Sequence, residues 1–149
     1  MSISTSYQTE IVVPQPQLRA HAGNIQGSPC MEIMRLALTK IAKERNARIT
    51  DGYRDCAGVQ HRCIMGISTP AMANGIGVEV SPDGKVSFPY DQVDANTAEV
   101  QAVCYDIARA YATIAVMRIR NKHGYRVGIE SETPTSRGKC VTTVAVRSR

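Results

Sequence analysis

The chain predicts an α+β fold: a mostly antiparallel sheet with two helices packed on one face, in the order β-α-β-β-β-β-α-β-β. Three observations carry this. Ser81-Pro82-Asp83-Gly84 sits between two strand-like runs, with Pro presetting φ and Gly free to take φ > 0, so it reads as a hairpin turn. Asn96-Thr97-Ala98-Glu99 has the form of a capping box and opens a long helix. The strands come in runs joined by short connections, which favours hairpins over crossover units.

The elements follow in order. Residues 3–13 alternate loosely, are rich in Ser, Thr, Tyr, Ile and Val, and form a first strand that Pro14 and Pro16 end. Residues 15–27 are polar, contain Gly23 and Gly27, and read as a long loop. Ser28 is the N-cap and Pro29 the first residue of a helix over 29–46. Its apolar face runs through Met31, Met34, Leu38 and Ile41 to Arg45, widened by Ile33, Leu36 and Ala37. Residues 48–53 and 58–67 are strands, the second with Val59, His61, Cys63 and Met65 on one face. Residues 75–80 and 85–88 flank the hairpin turn, and Gly84 suits a bulge there.

A helix over 97–123 follows the segment 91–95. Val100, Cys104, Ile107, Tyr111 and Ile114 recur at steps of four and three along one face. Arg118, Arg120 and Lys122 load its last turns, where the dipole favours positive charge, and Gly124 supplies a left-handed stop. Residues 125–130 and 140–147 are two closing strands, joined by a linker over 131–138.

Size places residues 1–149 in a single α+β domain. With one Phe and no Trp, the core has to be built from Ile, Val, Leu, Met and Ala. No run reaches the ~20 apolar residues of a membrane span, and Met1-Ser2-Ile3-Ser4-Thr5 lacks the basic start and apolar block of a secretory signal. Five cysteines, an odd number without such a signal, argue against a disulfide framework. The expectation is a cytoplasmic protein with reduced thiols. Net charge is +5, which permits an acidic partner without demanding one.

The opening Met1-Ser2, with Thr5, Tyr7, Thr9 and Ile11, resembles the first strand of the hypothetical chloroplast reading frame 35 family, a family of unknown function. So do Ala108-Arg109-Ala110-Tyr111-Ala112 and Lys122-His123-Gly124-Tyr125-Arg126-Val127, as an aromatic-centred helix and its exit into a final strand pair. The resemblance covers the last third of the chain and the first strand. The 15–27 and 56–63 segments depart from it, and the first long helix is delayed. Because members are often encoded beside ATPases of the AAA class, the resemblance implies an accessory or adaptor role.

Cys56, His61 and Cys63 are the nearest approach to a zinc cluster, but a structural site needs four ligands and no tight Cys-x2-Cys pair is present. A fourth would have to come from His21, Cys30 or Cys140. The simpler reading is two buried thiols and a half-exposed histidine, with no cofactor or metal. Cys30 at a helix start would suit a reactive thiolate, with His61 or His123 as base; its plain reading is a core thiol beside Met31 and Met34. Gly75-Ile76-Gly77 precedes a hairpin rather than a helix and cannot cradle a phosphate in the usual way. Asp51, Asp55, Asp83, Asp91 and Asp94 read as turn residues.

No catalytic constellation stands out. The leading expectation is a non-enzymatic interaction module, a subunit or adaptor that works through a sheet face or edge with a protein partner or a second copy. Val100, Val103, Ile107, Ile114, Val116, Met117 and Ile119 spread around the long helix and leave apolar surface for such a partner. The alternative is nucleic-acid or other polyanion binding by Arg118, Arg120, Lys122 and Arg126 at the basic C-terminal end, with Arg137, Lys139, Arg147 and Arg149 nearby in sequence.

Overall fold

A computed structural model describes the backbone of residues 4–93, 96–122, 125–135 and 138–147, and the side chains of residues 4–93 and 96–119. The order is β1 (Ser4–Val12), α1 (Gln15–Ala20), a 3₁₀ turn (Ile25–Gly27), α2 (Pro29–Arg45), β2 (Arg48–Arg54), β3 (Gln60–Thr69), β4 (Met72–Val80), β5 (Lys85–Asp91), α3 (Thr97–Lys122), β6 (Tyr125–Thr135) and β7 (Gly138–Arg147). This is the expected α+β arrangement. Strands β1–β5 form one antiparallel sheet in the order β1-β5-β4-β3-β2. Strands β6 and β7 form a separate two-stranded sheet among the described residues, and both touch α3. Of the segment 131–138, expected to be a linker, residues 131–135 and 138 are strand, with Pro134 opposite Lys139. The expected loop over 15–27 holds α1, because Pro16 falls in a first helical turn, where a missing N–H costs nothing.

Local chemistry explains the other boundaries. The Ser28 hydroxyl accepts from Met31 N, and Asn46 closes α2 in the left-handed region at φ 53°. Gly84 turns the β4–β5 hairpin at φ 92°, with its N–H on Ser81 O. Asn96 Oδ1 accepts from Glu99 N, as one arm of a capping box requires. Glu99 goes elsewhere with its carboxylate: Arg45 Nη1 donates to Glu99 Oε1 at 3.0 Å while Nη2 donates to Asp106 Oδ2 at 2.8 Å, so one guanidinium ties the end of α2 to α3. Gly124 lies outside the described residues.

The core is a single cluster between the helices and one sheet face. Met31, Met34, Ala37, Leu38 and Ile41 of α2 meet Val100, Val103, Cys104 and Ile107 of α3 and Ile67, Ile76, Val78, Val86 and Phe88 of the sheet. The α3 stripe is in the expected register, with Ile107 fully buried. Leu36, expected to widen the α2 face, is 44% exposed.

Candidate functional site

The sheet's second face is built differently. Gly66 and Gly77 lie opposite each other between core-facing pairs, so their missing side chains belong to the face turned away from the helices. A Cβ on Gly66 would fall 2.4 Å from Gly52 O and 2.8 Å from Ile76 O. Between Thr50↔Gly66 and Gly52↔Arg62, β2 advances two residues and β3 four, which is a large bulge on β3. The bulge reverses the expected facing of Cys63. Met65 is in the core, whereas Cys63 Sγ lies where a Gly77 Cβ would point, so the two do not share a face.

The bulge also lets the end of the β2–β3 hairpin fold over that face. β2 approaches β5 across two intervening strands, which makes the face concave. Tyr53 on one edge strand reaches Ser4 on the other, with the two hydroxyls 3.1 Å apart. Cys56 N donates to Asp91 Oδ2 at 2.8 Å, and Val93 N donates to Asp91 Oδ1. The His61 ring stacks on Tyr53 at 4.8 Å between centroids and 8° between planes, and its Nε2 donates to Asp55 Oδ2 at 2.9 Å. Asp55 Oδ1 accepts from Ala57 N and Val59 N. His61, with help from the Val59 and Ala57 N–H groups, holds the Asp55 carboxyl below the usual aspartate range against the opposing effect of burial.

Together these contacts tie the end of the β2–β3 hairpin to β1 and β5. Burial, assisted by the neighbouring Glu79 carboxylate, pushes the Cys63 thiol up to about 12, so it stays protonated at neutral pH and is a poor nucleophile. Cys63 Sγ instead donates weakly to Glu79 Oε1 and His61 O. Among the described residues no three His, Cys, Asp or Glu side chains converge as metal ligands. Cys56 is drawn to Asp91 through its backbone, and His61 to Asp55 and Tyr53. Cys30 is buried in the core against the Tyr111 hydroxyl, which burial and this contact keep protonated.

β1 pairs with β5 on one side, and among the described residues no strand pairs with the other. Beside it runs a groove of about 530 Å³ against α3. Tyr7, Ile11, Tyr105 and Tyr111 wall it, while Ala108 and Ala112, one helical turn apart, leave it open. Arg109 lies over the Tyr105 ring, its Cζ 5.6 Å from the centroid. Further along α3, Val116 and Ile119 are 41% and 58% exposed.

The basic C-terminal set is placed only in part. Arg118 lies 3.8 Å from Glu32 of α2, both well exposed. The side chains of Arg120, Lys122 and Arg126 lie outside the described residues. Tyr53, Asp55 and Asp91 gave no sequence signal beyond ordinary turn chemistry, because their partners are brought by the bulge. The groove was equally hidden: its small residues matter only once β1 is placed beside α3. Compared with protein-family models, with curated proteins and with solved structures, the chain finds no match.

Proposed function

We propose that this protein is a non-enzymatic interaction module, a subunit or adaptor that takes an extended segment of a partner protein along β1 as a sixth strand. The observation that carries this is the outer edge of β1, which no strand of the described residues pairs, lying over the groove to α3. Strand addition supplies main-chain hydrogen bonds, and a neighbouring pocket takes alternate side chains. Sheet edges are normally guarded by charge, proline or a covering element. Residues 4–9 of β1 carry no charge and no proline. The opposite edge, β2, carries Arg48, Asp51 and Arg54. The Tyr-walled groove suits an apolar side chain from the incoming segment, with Arg109 and Glu10 at its rim to set direction. The family resemblance adds an accessory role beside an ATPase, and the odd number of cysteines, read as reduced thiols, fits the cytoplasm. No described helix is long and apolar enough to cross a membrane.

The test is hydrogen exchange on the protein isolated with its partner from a native source after nuclease treatment. Slowed amide exchange over residues 4–10 in the complex, with release of the partner by Ala112→Trp, is the expected result. Ala112 is exposed, so the ring plugs the groove and spares the core. A nuclease-resistant complex whose β1 exchange is unchanged would sink the edge reading. Slowed exchange in a homodimer alone would make a second copy the occupant.

A further inference from the structure

The other edge of the sheet carries a different site. A small pocket of about 190 Å³ lies along β2 where it meets β3 and β4. Arg48 and Arg54 line it from the two halves of β2, on either side of the bend at Gly52. Gln60 and Asn74 add two exposed side-chain amides, and Thr50 and Ser68 add hydroxyls. No carboxylate is among its lining residues. Among the described residues, neither arginine makes an ion pair, whereas Arg45 is held by two carboxylates and Arg118 lies against Glu32. Asp51 of the same strand is not among the lining residues, so two guanidinium groups face the pocket with no carboxylate of the described residues in it, which leaves a local positive field suited to an anion.

We infer that this pocket binds a phosphate group, held by Arg48 and Arg54 with the Asn74 and Gln60 amides as neutral donors. Planar guanidinium forks match phosphate oxygens two at a time, and a pair of them suits a tetrahedral anion better than one lysine would. The donors have to be these four. Thr50 already gives its hydroxyl hydrogen to Gly52 O at 2.8 Å, and Ser68 gives its own to Ala73 O at 2.9 Å. The pocket reads the phosphate and not a base. Tyr53, its one aromatic residue, is 5% exposed and stacked on His61, so no ring face is open for a base to stack on. Two sources share this chemistry: the terminal phosphate of a small phosphoester, and the phosphodiester backbone of a nucleic acid. The site is separate from β1 and does not depend on the strand-addition reading.

The experiment uses the full chain in two arms. In the first, inorganic phosphate is titrated against chloride at constant ionic strength while the thermal midpoint is read. In the second, binding of a single-stranded oligothymidylate is measured across a range of salt concentrations. Each arm compares the native protein with Arg48→Gln/Arg54→Gln, with Asn74→Asp, and with Arg35→Gln/Lys43→Gln. The last pair removes the same charge from exposed positions on α2. A saturable rise in midpoint with phosphate, kept by the α2 pair and lost in both pocket variants, assigns a terminal phosphate. Oligonucleotide binding whose slope of log affinity against log salt flattens by about 1.4 only in the arginine pair assigns a phosphodiester. If the native protein responds in neither arm, or the α2 pair loses as much as the pocket pair, the site does not exist. The far-UV spectrum and phosphate-free midpoint of each variant confirm that it has folded.

Discussion

The two faces of the five-stranded sheet are held by different physics. The face under α2 and α3 is packed with Met, Ile, Val and Phe side chains, most of them fully buried. Its stability comes from apolar area removed from water, which tolerates some change of shape. The concave face is built on Gly52, Gly66 and Gly77 and on Tyr53, Asp55, His61 and Asp91. It is held by glycines that let backbones approach and by polar groups that each meet a specific partner. On one face volume matters most, and on the other position does.

The sharpest test of the contrast is on the packed face. Ile107→Asp places a carboxylate with no partner at the centre of the core, at a cost of several kcal/mol against a typical total of ~5–15. We expect no cooperative thermal transition, and a folded variant with an unchanged midpoint would refute the α3 register. Next comes Gly66→Ala, a single methyl on the concave face. Backbone oxygens on both sides block the added atom, so it should cost about 2–4 kcal/mol in denaturant unfolding. Gly77→Ala should cost less, since its nearest obstruction is the Cys63 side chain, and Cys63→Ala should recover part of that loss.

Asp55→Asn probes the concave face through pH. The folded-state carboxyl is depressed below its unfolded value, so its contribution is complete above about pH 4 and disappears as pH falls further. The stability gap between the native protein and Asp55→Asn should therefore be present at pH 5 and close below about pH 4. A gap independent of pH would mean that the carboxylate charge is not what the His61 ring and the backbone donors hold. The smallest effect is expected for Tyr53→Phe, which removes the hydroxyl contact to Ser4 and keeps the ring stack. A loss of about 0.5–1.5 kcal/mol is expected. A markedly larger loss would show that the two edges are joined mainly through this one contact.

The same contrast explains what could be read from the sequence. The packed face announces itself by period: Met31, Met34, Leu38 and Ile41 on α2, and Val100, Cys104, Ile107 and Tyr111 on α3, recur at helical spacing and are buried. Caps and turns at Ser28, Asn96 and Gly84 were also legible, because their partners lie within a few residues. The concave face was not. Strict alternation puts Cys63 and Met65 together, and only the bulge, a property of β2–β3 pairing, separates them. Arg48 and Arg54 are six positions apart in an unremarkable strand, and they become neighbours of one pocket only after β2 bends. The helix over 15–20 was missed because prolines and glycines nearby read as a loop, although one of those prolines helps to start it.

The first strand of the chain is among the last that can be completed. Thr9 of β1 gives its hydroxyl hydrogen to Val86 O, a partner 77 residues further on, and β1 pairs with no strand nearer than β5. At ~5–20 residues per second of synthesis, β1 waits roughly 4–15 s beyond its own emergence before β5 exists. Over that interval both of its edges are open. A segment this exposed would nucleate aggregates if it were apolar and flat. Its Ser, Thr and Gln content makes the delay tolerable. The polar composition of β1 is thus as much a condition for reaching the folded state as a property of its surface.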